Sequence, residues 1–227
     1  LPQESRCNSR EFVGALRNSI MENLPRFVDE AHTRRLIELH YRNIEDLVNS
    51  LIPQVVDIPS LTSILCNLVD EGLPIIEFRR ILSAISRRKI GNDALVDDLA
   101  GLPLLEQFEI AVRRELAGSY PFALEKVGAG EPANISVSSI EPGLVLHILQ
   151  TRVAGRFLEP DIINSLVASL SKLPERSVLL VPPAIRSFIR RVIKENKLAL
   201  QLITPGEILL PCAVTTEVGG STQELVE

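Results

Sequence analysis

The hydrophobic pattern of this 227-residue chain changes period near residue 120, and that change limits the folds open to it. Before it, apolar residues recur at helical spacing. Phe12, Leu16 and Ile20 lie four apart, with Val13 and Leu24 on the same side. Asn8 and Glu11 have the spacing of a capping box, and Pro25 should end that helix. Asp29 can cap the next one, which carries Leu36, Ile37 and Leu39. Ile44, Leu47, Val48 and Leu51 follow at i, i+3, i+4, i+7 until Pro53 stops them. Ser60 can cap a helix bearing Leu61, Ile64, Leu65 and Leu68. Gly72 stands where a left-handed C-cap belongs, and Pro74 suits the first turn of the following helix. That helix would bury Ile75, Phe78, Ile81, Leu82 and Ile85, so the pair reads as an αα-hairpin. Leu102 to Leu116 is a further helical pattern, with Leu105, Phe108, Ile110 and Val112 apolar.

Gly118, Pro121, Gly128, Gly130 and Pro132 then crowd one stretch, which reads as a linker. Beyond it the pattern alternates. Ile135, Val137 and Ile140 suggest a short strand, and helices are expected at 142–149 and 159–170. The run SVLLV from Ser177 to Val181 reads as a buried strand. Pro182 and Pro183 open a helix through Phe188, Ile189 and Val192. Strands are expected at 198–203 and within 208–218. The expected fold class is α+β: an all-helical subdomain followed by a small α/β sandwich with a short open sheet. The expected divisions are a residual helix of a preceding subdomain at 1–28, the helical subdomain at 29–120, a linker at 121–134, the α/β subdomain at 135–218 and a disordered tail at 219–227.

Composition removes several function classes. Aromatic residues make up 4% and Trp is absent, so Leu, Ile and Val must build the core, and a base-stacking or sugar-stacking surface is unfavoured. The net charge is −5, all of it carried by residues 1–125, while residues 126–227 balance. Neither half supplies the basic footprint of a nucleic-acid binder, so no nucleic-acid partner is expected. Cys7, Cys66 and Cys212 are far apart and form no CxxC pair, which disfavours a zinc ribbon or dithiol site and suits a reducing compartment. The apolar runs are far shorter than the ~18–20 residues a membrane span needs, so no membrane contact is expected of this stretch. No signal peptide is visible. The chain begins at Leu1 and its one methionine, Met21, sits inside an amphipathic pattern, so a longer parent chain is expected.

No chemical motif survives comparison with its structural requirements. Gly128-Ala-Gly130-Glu-Pro-Ala133 has the letters of a dinucleotide fingerprint, but a strand-like stretch, not a helix, follows it. No GxxxxGK[ST] run exists. His32 and His40 are eight apart, not the i, i+4 of a metal pair, and His147 is remote from both. Ser136 to Ser139 lacks the GxSxG elbow of a nucleophilic serine. Asp97, Asp98 and Glu30 suit solvated helix faces better than a catalytic carboxylate pair. Asn134-Ile-Ser136 is a glycosylation sequon without consequence in the cytosol. No enzyme activity, cofactor or metal is therefore expected. The one concentrated basic feature is Arg79 and Arg80 with Arg87, Arg88 and Lys89. Two turns of helix separate the clusters, so parts of both can line one face. Those five residues are the candidates for contact with an acidic neighbour or another copy of this chain. Cations at a helix C-terminus also have a plain structural use.

The stretch from Leu61 to Leu82, LTSILCNLVDEGLPIIEFRRIL, resembles a characteristic segment of the FHIPEP family, the export-gate proteins of bacterial flagella and type III secretion systems. There a helix of the form LxxxLxNLLxEG is followed by a turn and IRDxRxIL. Asn67, Leu68, Glu71, Gly72, Ile75, Arg79, Ile81 and Leu82 match, while Ile76 replaces the usual arginine. Glu45-Asp-Leu-Val48 upstream fits too, as do the VLLV strand with its helix and the closing Glu217-Val-Gly-Gly220. The departure at Ile76 suits the secretion branch better than the flagellar one. The resemblance implies an inner-membrane parent with a cytoplasmic region of several subdomains. This chain would carry the end of the first, the helical third and the α/β fourth. It implies a nonameric homo-oligomeric ring that receives secretion chaperones with their substrates and meets other export apparatus components. The rival readings are a generic helical adaptor and a small α/β enzyme with its site at the C-terminal ends of the strands, near Pro182 and Pro183.

Overall fold

The structure, a computed structural model, describes residues 12–14, 19–20, 23–90, 98–119, 135–175, 177–208 and 212–218. The chain folds into two compact units, Leu1–Asn92 and Asp93–Glu227.

The first unit is helical. Residues 12–14 and 19–20 are helical, but Asn8, Glu11 and Leu16 of the expected first helix lie outside the described residues. A 3-10 turn, Leu24–Phe27, forms around Pro25 and packs against α2 (Ile58–Asp70). The apolar positions from Leu36 to Leu51 lie on one helix, α1 (Glu30–Leu51), interrupted by the non-helical backbone of Ile44 (φ −141, ψ 26). Asp29 caps it as expected, its Oδ1 accepting from the His32 amide at 2.7 Å. Ser60 does not cap α2. Asp57 does, accepting from the Ser60 amide at 2.8 Å, and the helix starts at Ile58 with Pro59 in its first turn. The aspartate sits three residues before the amide it caps, which is the geometry a cap needs.

Gly72 ends α2 at φ +76, with Gly72 N donating to Val69 O and Leu73 N to Leu68 O. Those two bonds form a Schellman motif, and Leu68 and Leu73 are both buried across it. Pro74 is not in the next helix. That helix, α3, spans Phe78–Ile90, and residues 74–77 form the bend before it. Ile75 is accordingly half-buried in the turn, not in the helix core. α1 packs on both α2 and α3. The Thr33 and Thr62 hydroxyls meet at 2.8 Å between α1 and α2, which satisfies the polar group of buried Thr33.

The cap gives a pH prediction. The Ser60 hydroxyl, then the Ser60 amide, hold the Asp57 carboxyl below the ordinary aspartate value of 3.8. A depressed native value means the cap contributes above the unfolded value and is lost as pH falls through the native one. Asp57→Asn keeps an acceptor that does not titrate. Urea midpoints at pH 7 and pH 3 are expected to differ less for that variant than for the parent chain.

The second unit joins α4 (Leu104–Glu115) to a four-stranded sheet. In chain order come β1 (Ile135–Ile140), α5 (Pro142–Val153), α6 (Pro160–Leu170), β2 (Val178–Leu180), α7 (Pro183–Glu195), β3 (Gln201–Ile203) and β4 (Cys212–Val218). The strand order is β3-β2-β1-β4 and every pairing is parallel. From β1 to β2 to β3 the chain steps in one direction, so right-handed crossovers put α5, α6 and α7 on the same face. The core agrees: Leu144 and Ile148, Leu166 and Leu170, Ile185 and Ile189 gather with Leu179 and Leu202. Val137, Val178 and Ile203 collect on the opposite face, the period-2 alternation of strands. The strand expected at 198–203 is shorter, starting at Gln201, and the one expected within 208–218 is Cys212–Val218. The α+β class is as read from the sequence.

The Gly128–Ala133 motif and the 121–134 linker lie outside the described residues, as do the 219–227 tail, Cys7, Asp97 and Asn134. α4, which the sequence pattern assigns to the helical part, falls within the second unit. Among the described residues no helix is long and apolar enough to cross a membrane.

Candidate functional site

α3 carries the basic candidates. Arg79, Ser83 and Arg87 follow at i, i+4, i+8, and Arg80 lies seven before Arg87, so all three arginines share one solvent face. Arg79, Arg80 and Arg87 are exposed. Arg80 forms an ion pair with Glu77 one turn earlier. Arg88 sits four residues beyond buried Ala84 and is half-buried. Lys89 is exposed in the last turn, where it, Arg87 and Arg88 oppose the negative end of the helix dipole. The structure thus brings parts of both clusters together and places Arg88 on a flank. Ile76 is 79% exposed in the bend before α3. The hydrophobic core needs neither Ile76 nor the exposed arginines that follow it. They are surface features.

The histidines do not converge. His32 is exposed, His40 stacks at 5.7 Å on the Phe78 ring, and His147 is half-buried on α5. Among the described residues no three His, Cys, Asp or Glu side chains are placed to hold a metal ion. Cys66 Sγ donates to Val28 O at 2.8 Å, a packing contact between α2 and the chain before α1.

The C-terminal ends of the parallel strands are where an α/β enzyme would place its chemistry. Here the titratable group at the end of β3 is Glu207, and its carboxylate is committed to structure. It accepts from Thr204 N at 3.1 Å and Thr204 Oγ1 at 2.9 Å, closing the 3-10 turn Pro205–Glu207. Its other oxygen is 3.3 Å from Arg113 Nε on α4, and both side chains are fully buried. Arg113 also donates to Leu202 O at 3.3 Å. Next to it, Arg114 pairs with Asp98, which is exposed as expected but stands in the turn before α4 and not on a helix. A Cβ at Gly206 would meet the Arg114 guanidinium, so a larger residue there would have to displace that side chain. Buried Arg186 and half-buried Arg190 of α7 both approach Glu109 of α4, at 3.2 and 3.5 Å.

Among the described residues, Glu207, Asp98 and Glu109 with Arg113, Arg114, Arg186 and Arg190 tie α4 into its unit. Sequence reasoning missed this set. Its one signal was an Arg-Arg pair beside the apolar run around Ile110 and Val112, with Arg113 at i+3 from buried Ile110.

The FHIPEP family matches the chain over residues 7–211. This chain belongs to the FHIPEP family. A search among curated proteins returned no match. Among solved structures, the MxiA protein of Shigella flexneri is similar at 18% identity and a TM-score of 0.71, covering 92% of this chain and 65% of that one. The CdsV and CdsO protein complex of Chlamydia pneumoniae matches at 23% identity and a TM-score of 0.70, over 92% and 61% of the two chains. Nonameric EPEC SctV-C, seen by cryo-electron microscopy, matches at 19% identity and a TM-score of 0.69, over 92% and 62%. At these identities the likeness concerns the fold. This FHIPEP chain spans about three-fifths of the length of these relatives.

Proposed function

We propose that this FHIPEP chain is part of the cytosolic ring of a type III protein export gate, where it docks chaperone–substrate complexes bound for secretion. The observation that carries the reading is the family match across residues 7–211, together with a fold shared with a nonameric relative. A further support is a relative of the same fold in complex with a second protein, CdsO. In this reading the parent chain is anchored in the inner membrane, and the described units face the cytoplasm. Partners are further copies of the chain, chaperones with cargo, and other export components. The work is binding, not bond-making. Glu207 supports this, since the carboxylate best placed for chemistry is consumed by Arg113 and Thr204.

The ring contacts draw on the basic face of α3. Arg79, Arg80 and Arg87 lead it, with Arg88 and Lys89 beside them. Light scattering on the complete cytosolic region is the test. That region is expected to build an oligomer far larger than a monomer, and Arg79→Glu with Arg80→Glu is expected to shift it toward smaller species. High salt should act in the same direction, because exposed charges are screened beyond ~10 Å at 0.1 M ionic strength. Assembly indifferent to both changes would take the arginines out of the interface.

A further inference from the structure

We propose that a cleft of about 420 Å³ in the second unit docks an acidic amphipathic helix of another protein. The cleft lies between the start of α4, the C-terminal end of α5 with the loop after it, and the outer side of α7. Its chemistry is set by three arginines and two phenylalanines: Arg152, Arg156, Arg191, Phe157 and Phe188.

The arginines are not equivalent. Arg152 is held in place, its guanidinium 4.0 Å from Glu106 and donating to Ala184 O. Arg156 and Arg191 form no ion pair among the described residues. The contrast within α7 is informative. Arg186 and Arg190 point their charge at Glu109, whereas Arg191, one residue on, has its guanidinium 5.9 Å from the centre of the Phe188 ring. An arginine placed over an aromatic face keeps its N–H donors available to a carboxylate. One carboxylate, Glu106, faces three guanidinium groups, so the cleft carries net positive charge in a chain whose total is −5.

Phe157 lies at the rim and is 98% exposed. Gly155 at φ +63 turns the chain just before it, so the backbone is shaped to present that side chain outward. Arginine and aromatic residues around one concavity are the composition of an interface hot spot. A helix with two carboxylates and an apolar side chain on one face satisfies every part of it. The carboxylates meet Arg156 and Arg191, and the apolar group fills the space beside Phe157, Leu158 and Phe188. A small anion would use the charge and leave Phe157 in water. A flat lipid surface would meet Phe157 but could not enter the concavity.

The proposal rests on the docking reading only in taking the occupant to be a protein. The test is fluorescence anisotropy on the whole chain with a labelled helical peptide of about 18 residues, Glu and Leu on one face, and its Glu-to-Gln twin. Saturable binding is expected, with the twin about tenfold weaker. Arg156→Glu and Arg191→Glu are each expected to weaken the peptide about tenfold, and Phe157→Ala severalfold, at unchanged far-UV circular dichroism. Binding that ignores all three substitutions, or no binding at all, overturns the proposal. So does equal competition by inorganic phosphate, which would mark a small-anion site. Preference for phosphatidylglycerol vesicles over the peptide would overturn it in favour of a lipid surface. If the peptide ignores Arg156→Glu and Arg191→Glu while chaperone–substrate complexes bind the unaltered cytosolic region, the cleft proposal fails and the docking reading stands. If ring assembly and chaperone binding both fail in the unaltered cytosolic region, the docking reading itself falls.

Discussion

Glu207→Ala is expected to destabilise the second unit by about 3–5 kcal/mol, because it removes the carboxylate 3.3 Å from the fully buried Arg113 guanidinium. The alanine also removes the acceptor of the Thr204 amide and hydroxyl, so the 3-10 turn at Pro205 loses its closure. Arg113→Ala is expected to cost a similar amount, since it leaves the fully buried carboxylate without the guanidinium 3.3 Å away. The double variant should cost much less than the two losses added, for each single change strands a charge that the double change removes. Urea denaturation of the three variants against the parent chain gives all the terms. Glu207→Gln separates charge from hydrogen bonding: it can still accept from Thr204, so it should fall between the parent and Glu207→Ala. A Glu207→Ala chain with an unshifted urea midpoint would show that the pair carries no net stabilisation, an outcome that apolar replacement of both partners can give but removal of one should not.

This ion pair marks where the sequence stops being legible. The helix and strand order was readable because each element follows a local pattern. Leu61, Ile64, Leu65 and Leu68 write a helical stripe, and VLLV writes a buried strand. Gly72 announced its left-handed turn because few other residues hold φ +76 at low cost. Errors arose where two local signals compete. Ser60 and Asp57 are both capping residues within one turn, and only the position of the first helical amide separates them. Pro74 is as compatible with a bend as with a first helical turn. The partner of Arg113 lies 94 positions away, and no periodicity links the two. The membership of α4 in the second unit rests on such distant pairs, as does the cleft, whose walls come from α4, α5 and α7. The basic face of α3 was readable, since Arg79, Arg80 and Arg87 lie on one helix.

Phe78→Ala should have a comparable effect in the first unit, about 3–5 kcal/mol for a fully buried phenylalanine. Phe78 is the first residue of α3, and its ring lies against His40 of α1 at 5.7 Å. It therefore fixes the start of α3 to the middle of α1, just after the bend that contains Pro74. The cost is the lost transfer energy plus that of the cavity left behind. Phe78→Leu keeps much of the volume and should lose less than half as much. Hydrogen exchange locates the damage: the amides of α1, α2 and α3 should lose protection in Phe78→Ala, and α3 should lose it first. Protection unchanged in α3 would mean that Ile81, Leu82 and Ile85 hold the helix without its N-terminal anchor. The comparison with Glu207→Ala is then direct, since one variant removes an apolar anchor at the start of α3 and the other the charged partner that holds α4. Similar losses from unlike groups would show that position in the packing, more than chemical type, decides how much a single residue contributes here.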